Sequence, residues 1–258
     1  MSTPAVKAEM PVYVAPSYWR SRAIRIVVIG AGGNGSEVVD CLASFHHAIR
    51  SLGHPCGLDV TIIDDTIVRE PNLVRQRFWP CDLGQFKAVS LANRYNLMLG
   101  LSWTGLPYRF PCRETDAAVR DADLIIMVVD VPSARVAVAN LAKTNAMWLD
   151  LGNGARHGQV VFGAIDERAR QKFPNLMDAY PEISDLPDDN TKSCSVAESL
   201  AVQDCLINRT VTTAGLGIVW ELLRYGKTEK HWIVLSLETG EQQTFPFPAP
   251  PSESSQAA

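Results

Sequence analysis

The chain contains 258 residues, of which 47% are hydrophobic and 20% are charged. A chain of this length and balance can bury a sizeable core, and it is neither largely disordered nor collagen-like. Its 24 Lys and Arg residues and 28 Asp and Glu residues give a net charge of −4. Proteins that hold nucleic acid across a whole surface carry a basic excess, so we expect no nucleic-acid partner.

Membrane and zinc proteins have sequence features that this chain does not share. No apolar run approaches the ~18–20 residues that a membrane-spanning helix requires. The first 16 residues contain no continuous apolar stretch of the secretory kind, so we expect a cytoplasmic protein with no membrane partner. The six cysteines form no C-x-x-C pair, so we expect neither zinc nor a disulfide framework.

Strand and helix patterns alternate over the first 150 residues. Runs of β-branched and other apolar residues predict strands over 24–29, 58–63, 106–110, 124–129, 146–149 and 159–165. Helical periodicity predicts helices over 38–49, 86–99 and 132–143. This alternation favours an α/β fold with a Rossmann-like, doubly wound, mostly parallel sheet.

The chain changes character in its last third. Residues 172–193 are rich in Pro, Asp and Asn and predict a long loop, which in a compact domain is commonly functional. Residues 197–225 predict a long helical region with a break near Gly215 and Gly217.

A C-terminal hairpin completes the predicted domain. Residues 231–237 and 243–247 flank a Thr-Gly turn and predict additional antiparallel strands. We therefore expect an N-terminal arm over residues 1–22, a single domain over 23–247, and a disordered tail over 248–258.

A glycine-rich loop stands between the first strand and the first helix. It reads Gly30-Ala31-Gly32-Gly33-Asn34-Gly35-Ser36. Glycines let the backbone approach a phosphate without a Cβ clash, and a helix N-terminus points N–H groups at the anion. We interpret the loop as a nucleotide site; the alternative is a tight structural turn.

Polar and cationic residues follow the second strand. Asp64 ends that strand, where a carboxylate can accept the ribose hydroxyls of an adenosine; the alternative is a solvated strand end. Asn72, Arg75, Gln76 and Lys87 then supply two amides and two cations. Each cation alone would be a surface charge, but together they suit a triphosphate, whose oxygens need fixed positive charge and donors.

Two further positions carry candidate chemistry. Asp130 ends the third strong strand, where it could hold Mg²⁺ or cap the helix that begins at Pro132, and Arg135 follows one turn later. Cys194 lies beside Lys192 and before a predicted helix, and both features favour a reactive thiolate. The alternative for Cys194 is an inert cysteine.

Taken in order, these motifs resemble the ThiF/MoeB/HesA family, the E1-like adenylyltransferases related to ubiquitin-activating enzymes. The resemblance extends from Ile24 to about Arg224. The loop over 30–36 matches the family's G-x-G-G-x-G-S sequence, Asp64 matches its ribose aspartate, and residues 72–76 match its N-L-x-R-Q signature.

The rest of the match lies further along the chain. Lys87 matches the phosphate-contacting lysine of a G-x-x-K-A segment, and Asp130 and Arg135 match a D-N-x-x-x-R segment whose aspartate serves the metal. Cys194 falls where the family often has its thioester- or persulfide-forming cysteine, in a crossover loop expected over about residues 172–195.

Two stretches are similar to one subgroup of the family, and two residues depart from the family pattern. Residues 148–154 and 193–198 are similar to the ThiF-related member of the PRTRC plasmid cassette. Val131 replaces the usual Asn after the metal aspartate, and Thr66 stands where many members have a second acidic residue.

The resemblance implies ATP-dependent adenylation of the C-terminal carboxylate of a small ubiquitin-like or sulfur-carrier protein, with ATP and Mg²⁺ as cofactors. Arg75 and Lys87 would stabilise the departing pyrophosphate, and Asp130 would hold Mg²⁺. Cys194 would then take the acyl group from the adenylate.

The resemblance also implies a homodimer, in which an N-terminal arginine reaches the partner's phosphates. Arg20 and Arg22 are the candidates, although both lie close to the first strand. Two other functions stay open. A non-catalytic E1-like nucleotide-binding module is supported by Val131 and the unmatched arginine, whereas the cations after Asp64 disfavour an NAD-dependent oxidoreductase.

Overall fold

The computed structural model describes residues 10–142, 144–188 and 203–249. The strands within those residues are β1 (Tyr13–Val14), β2 (Ile24–Ile29), β3 (Leu58–Ile63), β4 (Thr104–Leu106), β5 (Leu124–Met127), β6 (Met147–Asn153), β7 (His157–Ala164), β8 (Lys227–Thr228), β9 (Lys230–Ser236) and β10 (Gln242–Pro246). The α-helices are α1 (Gly33–Ser51), α2 (Asn72–Arg75), α3 (Lys87–Leu99), α4 (Arg113–Arg120), α5 (Pro132–Ala139), α6 (Glu167–Arg170), α7 (Leu176–Ala179) and α8 (Ile207–Tyr225). Short 3₁₀ helices cover Ser17–Arg20, Pro80–Asp82 and Pro181–Asp185.

One mixed sheet organises the described residues, with the strand order β10-β9-β7-β6-β5-β2-β3-β4. Strands β6, β5, β2, β3 and β4 are parallel. Strands β7, β9 and β10 are antiparallel to their neighbours. This arrangement confirms the predicted α/β, Rossmann-like, mostly parallel sheet with additional C-terminal antiparallel strands.

The order of the strands also locates a crevice. The chain leaves β2 for β3 on one side and later returns to β5 on the other side of β2. In open α/β sheets, ligands bind at the carboxyl ends of the strands that flank such a switch point. The carboxyl ends of β2 and β5 are therefore where a ligand is expected.

Strand β2 is buried on both faces. Ile26 and Val28 pack into a core with α1 and α8, whereas Val27 and Ile29 pack into a second core with α5. A strand covered on both faces has apolar residues at successive positions rather than at alternate ones. The predicted bounds of this strand, 24–29, are confirmed for that reason.

Two stretches near the middle of the chain differ from the sequence prediction. The strand predicted over 106–110 lies instead at 104–106, because Pro107 has no N–H with which to continue the ladder beside β3. Helix α4 was not predicted, since its sequence is mostly charged. It begins where Cys112 N donates to Thr115 Oγ1 at 3.2 Å.

The predicted long loop is wrong for the part that the structure describes. Residues 176–179 and 181–185 form short helices, since Asn175 caps the first of them by accepting from Met177 N at 2.9 Å. The helical region expected over 197–225 runs without a break from Ile207 to Tyr225. Its residues 197–202 lie outside the described residues.

The described part of the predicted N-terminal arm packs on the domain. Tyr13 in β1 pairs with Thr228 in β8 and contacts the Phe162 ring edge-on at 5.5 Å. Trp19 is 4% exposed. Residues 10–22 therefore contribute to the core, while residues 1–9 and the predicted tail from 250 to 258 lie outside the described residues.

The turn from β2 into α1 depends on two glycines. Gly30 has φ +106°, a conformation that L side chains rarely adopt. A Cβ on Gly35 would lie 2.1 Å from the Gly30 carbonyl oxygen, so the first turn of α1 sits directly on the backbone of the preceding loop. A Cβ on Gly32, by contrast, would meet nothing within 4 Å.

We expect Gly35→Ala to lower the free energy of unfolding by about 2–3 kcal/mol, because the methyl group must displace backbone rather than a mobile side chain. Gly32→Ala is the matched control and should change it by less than about 0.5 kcal/mol. Urea unfolding followed by circular dichroism measures both. Equal effects of the two substitutions would contradict the close approach.

Candidate functional site

The glycine-rich loop, Asp64 and Asp130 lie at the same edge of the sheet. They follow β2, β3 and β5, whose parallel pairing aligns their carboxyl ends. Gly30 N donates to Ile63 O at 2.8 Å, which ties the start of the loop to the end of β3. The structure thus brings together motifs that are up to 100 residues apart in the sequence.

The side chains of the loop are held by neighbouring elements. Asn34 Nδ2 donates to Asn153 Oδ1 at 2.8 Å, which links the loop to the end of β6. The Ser36 hydroxyl is fully buried and accepts from Arg77 N at 3.0 Å. Ser36 was predicted to bind the cofactor, and in the structure it positions the segment that follows α2.

Asn208 is a part of this loop's surroundings that sequence reasoning missed. It is 3% exposed in α8, and a Cβ on Gly33 would lie 2.3 Å from its Nδ2 atom. That nitrogen and Asn34 Oδ1 are buried without hydrogen-bond partners in the structure. A polar residue on the buried face of an amphipathic helix was the available signal in the sequence.

Asp64 is tied to the loop and to the segment that follows it. Its Oδ2 atom accepts from Ala31 N at 2.7 Å, and its Oδ1 atom accepts from Thr66 N at 2.8 Å and from the Thr66 hydroxyl. Thr66, the residue that departs from the family pattern, therefore orients the carboxylate. Each carboxylate oxygen has two acceptor sites, so the group can still accept a ribose hydroxyl.

The residues of the N-L-x-R-Q segment have different surroundings. Asn72 Oδ1 accepts from Arg69 N at 2.8 Å and so holds the turn that precedes α2. Arg75 Nη1 donates to Gln203 Oε1, and burial lowers the pKa of this guanidinium below its ordinary value. Gln76 Oε1 is buried without a partner in the structure, so it is an acceptor available to a ligand.

Lys87 begins α3 beside this segment. Its side chain is largely buried, with 8% of the residue exposed. Its backbone N–H donates to Thr66 O at 2.9 Å, which places the helix start next to the residue that orients Asp64. Because its side chain is largely buried, the ammonium group of Lys87 has a defined position, which the binding of a phosphate oxygen requires.

Asp130 and Arg135 lie together at the end of β5, with a third residue that sequence reasoning did not place in the site. Arg135 Nη1 lies 3.1 Å from Asp130 Oδ1, and Arg135 also donates from Nε and Nη2 to Asp150 at 3.1 and 3.0 Å. Burial raises the pKa of Asp150, and Arg135 opposes that rise. Burial would lower the pKa of Arg135, but the two carboxylates raise it above its ordinary value.

A groove of about 710 Å³ leads away from this group of side chains. It extends over the antiparallel half of the sheet toward β9 and β10. Its lining residues are Asp130, Arg135, Gly152, Asn153, Gly154, His157, Gly158, Gln159, Val234, Leu235, Ser236, Glu241 and Gln243. The groove is thus polar at the Asp130 end and lined by small residues along β6 and β7.

Other predicted residues either lie outside the described residues or lie away from the site. Cys194 and Lys192 lie outside the described residues. Arg22 forms a two-pronged ion pair with Asp123 at 2.9 and 2.7 Å, at the amino ends of β2 and β5. Arg20 lines a separate small cavity against the end of α8. In the described chain, neither arginine lies beside its own nucleotide loop.

Metal-ligating clusters and membrane-spanning helices are both absent from the described residues. Within them, no group of three or more His, Cys, Asp or Glu side chains is placed to hold a metal ion. In the same part of the chain, no helix has both the length and the apolar character needed to cross a membrane. The Asp130 side chain is 75% exposed and could join a metal together with ligand oxygens.

Comparison with known proteins identifies one protein of similar sequence and several of similar fold. The adenylyltransferase and sulfurtransferase UBA4 of Yarrowia lipolytica is 31% identical over 122 residues, which are 47% of this chain and 28% of UBA4. PaaA has a similar crystal structure, with a TM-score of 0.61 and 15% identity over 87% of this chain and 64% of PaaA. E. coli MccB with ATP has a TM-score of 0.59 and 15% identity, over 88% of this chain and 64% of MccB.

This chain spans less than two thirds of the length of each of these relatives. At 14–16% identity, the similarity to the solved structures concerns the fold. The sequence match is broader, since residues 8–235 match the ThiF family and include every predicted nucleotide-site motif. The chain belongs to the ThiF family.

Proposed function

We propose that this protein adenylates the C-terminal carboxylate of a small ubiquitin-like or sulfur-carrier protein, using ATP. The observation that carries the proposal is that the glycine loop, Asp64 and the start of α3 at Lys87 lie at one edge of the sheet, where Asn34 joins the loop to Asn153 in the groove. Family membership and the UBA4 relative support adenylyltransferase chemistry in general.

The nucleotide would bind across the switch point. The N-terminus of α1 and the glycine loop would face the phosphates, since helix N–H groups bind anions. Asp64 would accept the ribose hydroxyls, as proposed from the sequence. The buried Gln76 Oε1 atom supports a ligand here, because this acceptor has no hydrogen-bond partner in the described residues.

The chemical step is displacement at the α-phosphorus. A carboxylate oxygen of the carrier forms a bond to that phosphorus, and the bond from phosphorus to the β-bridging oxygen breaks, so that pyrophosphate leaves with the electron pair. Arg75 and Lys87 would neutralise the departing charge. Such a reaction depends on positioning and charge more than on covalent help from the enzyme.

The donor set fits Mg²⁺ that arrives with the nucleotide. Mg²⁺ is commonly held by one or two carboxylates together with phosphate oxygens and water. Asp130 would be that carboxylate, since 75% of its side chain is exposed at the mouth of the groove. Bound there, Mg²⁺ would supply charge neutralisation at the phosphates.

The groove suits an extended C-terminal tail. Gly152 and Gly154 leave space along one side, since a Cβ on either would meet nothing nearer than 3.6 Å, and Gln159 and Gln243 supply amides for a peptide backbone. A tail of small residues could pass along this path toward Asp130 and Arg135. By resemblance, we further propose membership of the PRTRC subgroup, a homodimer, a cytoplasmic location and acyl transfer to Cys194.

A non-catalytic nucleotide-binding module is the second candidate. It is favoured by Arg22, whose guanidinium is paired with Asp123 at the opposite edge of the sheet, and by Val131 after Asp130. An NAD-dependent oxidoreductase does not account for the buried Lys87 beside Asp64.

We expect Mg·ATP to bind more tightly than NAD and to support ATP–pyrophosphate exchange when a carrier protein with a glycine C-terminus is present. Isothermal calorimetry and labelled-pyrophosphate exchange measure the two properties. Lys87→Ala should slow exchange by about a hundredfold. Lys227→Ala on the short strand β8 is the control and should not slow it. NAD binding more tightly than Mg·ATP would contradict the proposal, whereas ATP binding without exchange would favour the module.

We expect Asp130→Ala to abolish exchange while the variant stays folded, because its side chain is exposed and adds little to the core. The near-ultraviolet circular dichroism spectrum checks the fold. Asp121→Ala, which also removes an exposed aspartate, should leave exchange unchanged. A folded Asp130→Ala protein with the parental exchange rate would remove Asp130 from the metal site and leave its ion pair with Arg135 as its role, since Val131 and not Asp130 is the N-cap of α5.

We expect Cys194→Ser to retain ATP binding and pyrophosphate exchange but to lose any thiol-sensitive adduct with the carrier. Adenylation uses the nucleotide site alone, so the two steps are separable. Intact mass spectrometry after incubation with carrier and Mg·ATP measures the adduct, and Cys205→Ser is the control. An adduct that persists in Cys194→Ser, or none in a parent protein that forms adenylate, would remove Cys194 from the mechanism.

A further inference from the structure

Asp150 is a carboxylate in the interior of the sheet. It is 1% exposed in β6, and its paired neighbours are Met127 in β5 and Val161 in β7. A buried carboxylate is costly unless a cation and hydrogen bonds compensate for the lost water. Such a residue in a central strand needs a role that offsets this cost.

Arg135 provides the compensation. Its Nε and Nη2 atoms donate to Oδ2 and Oδ1 of Asp150 at 3.1 and 3.0 Å, a two-pronged geometry that fixes the plane of the guanidinium. The Arg135 side chain is itself only 10% exposed. Two buried groups therefore hold each other in one orientation.

The third nitrogen of the same guanidinium reaches the groove. Arg135 Nη1 lies 3.1 Å from Asp130 Oδ1, and the Asp130 side chain is 75% exposed. One cation thus lies between a buried carboxylate and an exposed one. The set has a net charge of −1 when all three groups are ionised, and its exposed member is Asp130.

Removing the buried charge would change this balance. With a neutral residue at position 150, Arg135 would be balanced by Asp130 alone, and the exposed carboxylate would lose its net attraction for a cation. Charges about 3 Å apart interact strongly even when they are partly solvated. The charge at Asp150 therefore acts on the groove although its side chain does not reach it.

We propose that Asp150 is a positioning residue that orients Arg135 and balances its charge, so that the three side chains keep a net negative charge at Asp130 for the cation that accompanies the nucleotide. This inference rests on the proposed function, because it concerns how Asp130 meets Mg²⁺. It adds a residue to which the family resemblance gives no role, and it explains why a carboxylate is buried in β6.

The test is the Mg²⁺ concentration that half-saturates ATP binding, measured by calorimetry at fixed ATP rather than by turnover. Asp150→Asn keeps the size of the side chain and removes its charge. It should raise that concentration by roughly fivefold. The double variant Asp150→Asn with Arg135→Gln removes both buried charges and should bring the concentration back toward the parental value, even if ATP binds more weakly overall. Asp166→Asn is the control for loss of an aspartate elsewhere.

The outcomes separate the inference from the proposed function. A parental Mg²⁺ requirement in folded Asp150→Asn overturns the inference, as does a requirement that stays raised in the double variant, since a purely structural role would not be rescued by removing Arg135. If Asp150→Asn does not fold, the double variant is compared with Arg135→Gln: a requirement that falls in Arg135→Gln and returns to the parental value in the double variant supports the inference, and any other pattern overturns it. A parent protein that binds no ATP at saturating Mg²⁺ contradicts the proposed function and this inference with it.

Discussion

The close backbone approach between the end of β2 and the first turn of α1 sets the geometry of the candidate site. Gly35 packs on the Gly30 carbonyl so closely that a Cβ would lie 2.1 Å from its oxygen. This packing fixes where α1 begins and leaves Ala31 N 2.7 Å from Asp64. A single steric constraint thereby positions the helix N-terminus and the strand-end carboxylate relative to each other.

Buried ion pairs then attach the remaining parts of the site to this turn. Glu37 in α1 is 4% exposed and accepts from Arg77 Nε at 2.9 Å and from Arg209 Nε at 2.8 Å. The first arginine follows the N-L-x-R-Q segment, and the second lies in α8. A buried carboxylate stripped of its partners is costly, so these contacts hold the three elements in one arrangement.

An ion pair between an arginine and a buried aspartate occurs at each of the two edges of the sheet. At the amino ends of the strands, Asp123 holds Arg22 and so anchors the N-terminal segment. At the carboxyl ends, Asp150 holds Arg135, which also reaches the exposed Asp130. The pair at the amino ends anchors a segment, whereas we propose that the pair at the carboxyl ends acts on a bound cation, because ligands of open α/β sheets bind at the carboxyl edge.

The sequence by itself determined most of the strand–helix order, the glycine turn after β2 and the place of Asp64 at the end of β3, because these depend on local periodicity, glycine conformation and strand ends. Strand β2 shows this most clearly, since a strand that is buried on both faces has a nearly continuous run of apolar residues. Only the tertiary structure decided that Ser36 holds a backbone segment and that Asp150 pairs with Arg135. It also decided that β6, β7, β9 and β10 form the groove. Those features join residues distant in the chain, and no local pattern specifies which partners meet once the sheet assembles.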